Sequence, residues 1–130
     1  MMKVLLVEDE PDNQLVIQDI FEFGGIDAQL VIVDNAEEAL CVAAEMLPVL
    51  VLMDIRLPGM SGLDATRKLK AGAATRRIPV WAITAYAMAK DEPEALAAGC
   101  DDYITKPIDG EQLTQRLREF VAQRRGVKAA

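Results

Sequence analysis

Short apolar runs recur along the chain, separated by longer stretches in which apolar residues return every three or four positions. That is the pattern of strands alternating with helices. Strands are predicted at Lys3 to Val7, Ala28 to Val33, Val49 to Met53, Val80 to Thr84 and Asp102 to Ile104. The third run, VLVLM, is apolar at every position. A strand covered by helices on both faces reads this way, which points to a parallel sheet.

The intervening helices are marked by their ends. Pro11 suits a first helical turn, Val16, Ile20 and Phe23 form one apolar stripe, and Gly24-Gly25 stops the pattern. Asn35 followed by Glu38 predicts a capped helix through about Met46 with an alanine-rich inner face. Ser61 to Lys70 gives a third helix and Asp91 with Glu92-Pro93 a fourth start. Asp109 and Gln112 cap a fifth, whose stripe of Leu113, Leu117, Phe120 and Val121 ends before Gly126. Five such units predict an α/β fold with a doubly wound, five-stranded parallel sheet. Sheets of this kind bind ligands at the carboxyl ends of their strands.

Composition narrows the class. The 130 residues, 52% hydrophobic and 27% charged, suit one domain that folds without disulfides or structural metal. Cys41 and Cys100 stand far apart and there is no histidine, which removes the common zinc spacings and any Ser/His or Cys/His pair. The apolar segment between Lys3 and Glu8 is too short for a signal-peptide core, and the longest apolar run, Met46 to Met53, is far short of a membrane span. A cytoplasmic protein without a membrane partner is expected. The net charge of −7 disfavours nucleic acid, whose phosphates call for concentrated Lys and Arg. The basic excess is confined to residues 111–130, with five basic and two acidic side chains, and reads as a solvated helix face.

Charge also concentrates chemistry at the predicted ligand edge. Glu8, Asp9 and Glu10 follow the first strand, Asp54 ends the third, Thr84-Ala85 close the fourth and Lys106-Pro107 come after the fifth. By analogy with doubly wound sheets of strand order 2-1-3-4-5, the first and third strands are neighbours, and Glu8, Asp9 and Asp54 then converge. Clustered carboxylates repel one another unless a cation joins them, and Mg2+ prefers such oxygens while tolerating a phosphate ligand. Asp54, at the end of a buried strand, is then the candidate nucleophile toward phosphorus. Phosphoryl transfer mainly needs its equatorial oxygens stabilised. Lys106, the Thr84 hydroxyl and the Ala85 backbone N–H are the groups placed to do so.

Taken one at a time, these residues have plainer readings. The acidic trio suits a helix start, Asp54 a cap before Pro58-Gly59, Thr84 a β-branched strand position and Lys106 a solvated surface. Trp81, Met53, Met60 and Met88 read as packing or loop residues. It is the joint occurrence of Asp54, Thr84 and Lys106 that favours chemistry.

The segments VEDE, MDIRLPGMSGLD, ITAYA and YITKPID, in this order and spacing, resemble the receiver domains of two-component response regulators, over about residues 2–124. The resemblance implies the flavodoxin-like receiver topology over residues 1–125, with 126–130 as a short tail and no output domain. It also implies phosphoryl transfer to Asp54 from a sensor histidine kinase or histidine phosphotransfer protein, with Mg2+ on Glu8, Asp9, Asp54 and the backbone carbonyl of Arg56. Lys106 takes the phosphate-binding position, followed by a cis peptide to Pro107. Thr84 and Tyr103 become the switch pair, which alters a downstream protein target's affinity for the face of helix four, strand five and helix five. Arg56 and Tyr86 fall where bulky side chains shield the phosphorylated residue, implying slow self-dephosphorylation. An aspartyl-phosphate hydrolase of the haloacid-dehalogenase type wants a second Asp where Arg56 stands. A flavodoxin-like electron carrier or a non-phosphorylated receiver-like binding module has no need of Asp54, Thr84 and Lys106 together.

Overall fold

The computed structural model describes residues 1–85 and 91–126, without the side chains of residues 91 and 92. Five strands, β1 (Lys3–Val7), β2 (Gln29–Val33), β3 (Leu50–Asp54), β4 (Val80–Thr84) and β5 (Asp102–Thr105), alternate with five helices. The helices are α1 (Pro11–Phe23), α2 (Ala36–Met46), α3 (Gly62–Ala71), α4 (Asp91–Ala98) and α5 (Gly110–Arg124). The sheet is parallel throughout, in the order β2-β1-β3-β4-β5, as expected from the sequence.

Strand side chains alternate between two cores, one on each face of the sheet. Leu5, Val51, Met53 and Ala82 pack on the side of α2, α3 and α4, with Ala39, Ala43, Leu69 and Ala95. Leu6, Leu52, Trp81 and Ile83 pack on the other side against Ile17 and Ile20 of α1 and Leu113, Leu117 and Val121 of α5. Every residue of β3 and β4 is buried, which explains why VLVLM shows no polar alternation. Trp81 packs edge-on against Phe120 and lies under the Arg116 guanidinium, 4.7 Å from the ring centre.

The caps follow the sequence closely. The side chains of Asn35, Ser61 and Asp109 accept hydrogen bonds from the N–H groups of Glu38, Asp64 and Gln112. Element bounds differ by a residue at several ends. β2 opens at Gln29 rather than Ala28, β3 opens at Leu50 rather than Val49, and Ser61 caps α3 from outside it. β3 also takes in Asp54, because its backbone stays in register with Ile83, and β5 takes in Thr105, opposite Thr84. Hydropathy could not show this, since main-chain pairing continues past the last apolar side chain.

Candidate functional site

The carboxyl ends of β1 and β3 bring Glu8, Asp9 and Asp54 together, with one oxygen of each within 4.8 Å of the others. Glu8 is fully buried and Asp54 is 3% exposed. Main-chain geometry holds both. Glu8 N–H donates to the Val33 carbonyl at 3.0 Å, and the Ile55 N–H to that of Ile83 at 3.1 Å. The Arg56 N–H then turns back onto Asp54 Oδ1 at 2.9 Å.

Lys106 enters from the loop after β5. Its Nζ donates to Asp54 Oδ2 at 3.1 Å and stands 3.2 Å from Glu8 Oε1. Glu10 Oε1 is a further 3.9 Å neighbour. The Lys106–Pro107 peptide is cis, as the resemblance implied. Burial alone lowers the pKa of the Lys106 ammonium, but its hydrogen bond to Asp54 and the charges of Asp54 and Glu8 more than reverse this, leaving it above the ordinary range.

Glu8 is the perturbed member of the cluster. Burial pushes its carboxyl from 4.5 to about 7, assisted by the facing Asp54 and opposed by the Glu10 N–H bond and by Lys106. Its Oε2 accepts that Glu10 N–H at 3.1 Å. Among the described residues, the buried Oε1 has no directed hydrogen-bond donor. The Lys106 ammonium, 3.2 Å away, supplies ionic attraction to it. A buried carboxylate oxygen with an unused lone pair, facing two further carboxylates, is the donor set of a hard divalent cation, and the residues therefore fit Mg2+.

Thr84 is 3% exposed and sits one residue beyond Ile83, the partner of Asp54. Its carbonyl accepts the Lys106 N–H at 2.7 Å, so the ends of β4 and β5 meet beside the cluster. Ala85, the next residue, is exposed. Tyr103, opposite Ala82 on β5, is half-buried against the core beneath α2, α3 and α4. The Arg116 Nη1 donates to its carbonyl at 3.3 Å, and Nη2 pairs with Asp102 at 2.7 Å. Tyr86 and Met88 lie outside the described residues.

Two neighbours of the site were not read from the sequence. Gln14 donates from Nε2 to the Glu8 carbonyl at 2.7 Å, and Gly62 lies directly against the Asp54 main chain. Gln14 has no local signal, being a polar residue in the first turns of a helix. Gly62 carried one, a glycine at a helix start without a turn to explain it.

Comparison with known proteins bears on this arrangement. A family model described as the response regulator receiver domain matches residues 4–118. The polar-differentiation response regulator DivK of Brucella anthropi is 39% identical over 118 residues, which cover 91% of this chain and 94% of that one. The sensor protein GacS of Pseudomonas syringae is 40% identical over 116 residues, 87% of this chain and 13% of that much longer protein. Among solved structures, the receiver domain of the sensor histidine kinase PA1611 from Pseudomonas aeruginosa holds a magnesium ion in its active-site cleft. It superposes with a TM-score of 0.83 at 35% identity, over 93% of this chain and 98% of that one. Vibrio cholerae CheY4, at 21% identity and a TM-score of 0.82 over 92% of this chain and 98% of that one, shares the fold.

Proposed function

This chain belongs to the response regulator receiver domain family, and from that premise we propose that Asp54 is its phosphoacceptor and Lys106 the cation that serves it. Receiver domains act as phosphoacceptors in two-component signalling and bind Mg2+ at an acidic pocket. The observation that carries the assignment is the Lys106 ammonium shared between Asp54 Oδ2 at 3.1 Å and Glu8 Oε1 at 3.2 Å, within a buried cluster of carboxylates.

In the proposed reaction a carboxylate oxygen of Asp54 forms the new P–O bond as the donor's P–N bond breaks. The electron pair of that bond returns to the donor imidazole. Lys106 moves from carboxylate to phosphoryl oxygen, the Thr84 hydroxyl donates to a second oxygen and the Ala85 N–H to a third. Glu8, Asp9, Asp54 and the Arg56 carbonyl would hold Mg2+, which supplies neutralising charge for the phosphoryl oxygens. Arg56 and Asp54 are already linked through the Arg56 N–H, so the loop carrying that carbonyl is set by the acceptor itself.

Receiver domains work with histidine kinases and phosphotransfer proteins, and a donor of that class in the cytoplasm is the partner we assign here. For output, we assign a protein target to the face of α4, β5 and α5. Thr84 drawn toward the phosphoryl group and a rotating Tyr103 would alter that face. The Arg116 contacts to Tyr103 and Asp102 support this route, since they join α5 to β5 beside the tyrosine.

The test is intact-mass measurement after incubation with acetyl phosphate and Mg2+. One added phosphate is expected on the wild type and none on Asp54→Asn. An unmodified wild type would refute the assignment and leave a protein-binding module that works without phosphorylation. Equal affinity of an isolated target for both phosphorylation states would refute the output route.

A further inference from the structure

We propose that Gly62 is a positioning residue for phosphoryl transfer. Because it lacks a side chain, the first turn of α3 can press onto the Asp54–Ile55 main chain, and this contact sets where the acceptor carboxylate and the Arg56 carbonyl stand. The inference rests on the reading of Asp54 as phosphoacceptor and adds to it a residue with no chemistry of its own.

The geometry leaves no room for any other residue. A Cβ at Gly62 would lie 2.1 Å from the Asp54 carbonyl oxygen, 2.8 Å from its carbon and 2.7 Å from the Ile55 Cα. Real Cβ atoms essentially never come within 3.0 Å of such neighbours. All three atoms are backbone, so no side chain can swing aside.

Both partners of the contact are anchored. The strand end is fixed by the pairing of Asp54 with Ile83 and by the Ile55 N–H bond to the Ile83 carbonyl. The helix start is fixed by the Gly62 N–H bond to the Ile55 carbonyl and by the buried Thr66 hydroxyl, which donates to the Gly62 carbonyl at 2.8 Å. The Gly62 φ is not in the left-handed region, so the glycine is required by close approach rather than by backbone conformation.

Separating a Cβ from 2.1 Å to the ordinary contact distance of 3.4 Å moves helix and strand end apart by more than an ångström. The displaced segment bears Asp54 and, two residues on, the N–H of Arg56 that bonds Asp54 Oδ1. A misplacement of ~1 Å at a reacting group costs about 100-fold in rate. Disturbing the support of metal ligands costs roughly 10- to 100-fold in metal affinity.

The matched control is Gly72, where an added Cβ would meet the Thr75 Oγ1 at 2.8 Å, a crowded contact at the far end of α3. The full-length chain would be compared as wild type, Gly62→Ala and Gly72→Ala. Four quantities are read: the thermal midpoint, the Arg56 amide resonance without metal, the Mg2+ dissociation constant by calorimetry, and the rate of mass gain with acetyl phosphate. Both variants should melt lower. Only Gly62→Ala should move the Arg56 resonance, weaken Mg2+ about tenfold or more and slow phosphorylation by about 100-fold.

A folded Gly62→Ala with wild-type metal affinity and rate would overturn the proposal, as would equal losses in Gly72→Ala. If Gly62→Ala does not fold, the wild type decides. Its Gly62 amide resonance should follow the Arg56 amide with the same midpoint in an Mg2+ titration, and a stationary Gly62 signal would overturn the proposal. A wild type that gains no phosphate refutes the Asp54 assignment instead, while the metal-free and Mg2+ comparisons still judge Gly62.

Discussion

Replacing Glu8 with Gln keeps the shape of the side chain and removes a charge that burial makes costly. In the metal-free protein the Glu8 carboxyl titrates at about 7 against an ordinary 4.5. For an acid, a raised folded value means that the native state holds the proton more tightly than the unfolded chain. The stabilisation is therefore complete below about pH 4.5 and is lost as the pH rises through about 7. The gap corresponds to about 3 kcal/mol in total. A Gln at this position does not titrate. The stability of Glu8→Gln relative to wild type should therefore rise by roughly 2 to 3 kcal/mol between about pH 5 and pH 8. Urea unfolding in a chelating buffer would show this as a change of about 1 M in the difference between the two midpoints. Mg2+ should act in the opposite sense. At about 100 times its dissociation constant it adds about 2.7 kcal/mol to the wild type, and it should add less to the variant, which lacks that carboxylate. Stability curves that run parallel from pH 5 to pH 8 without metal would refute the reasoning.

Removing the ammonium probes the same cluster from its other side. Lys106→Met should destabilise the metal-free protein by about 3 kcal/mol above pH 7, because it leaves two buried carboxylates facing each other, and thermal melts should show the deficit shrinking toward pH 5 as Glu8 takes up a proton. A deficit independent of pH would count against this. Asp109→Ala removes the side-chain cap on the Gln112 N–H and should cost about 1 kcal/mol. Far-UV melts should find the same loss with and without Mg2+, and a loss confined to one condition would place Asp109 in the site rather than in the helix.

The fold was legible where side-chain patterning and capping chemistry decide it. The all-apolar β3 and the caps at Asn35 and Asp109 follow from rules that act locally or through layer packing, whereas the order of the strands rests on analogy with related folds. The convergence of Glu8, Asp9 and Asp54 was legible only with that order, because parallel topology puts strand ends on one rim but the order is what makes β1 and β3 neighbours. Other details are tertiary facts. Glu8 at about 7 depends on how completely the end of β1 is covered and on how closely Asp54 and Lys106 face it. The burden on Gly62 is visible only once α3 is laid against β3. Strand ends were misjudged by a residue at Asp54 and Thr105 because polarity marks a change of environment, whereas the ladder ends where the backbone diverges.

The hydrogen bond from the Lys106 N–H to the Thr84 carbonyl ties two chemically distinct groups to one main-chain seam. The lysine's long side chain can follow a new anion by rotation, while its backbone stays bonded to the end of the neighbouring strand. A displacement of the main chain at Lys106 is therefore felt at the end of β4 through this one bond.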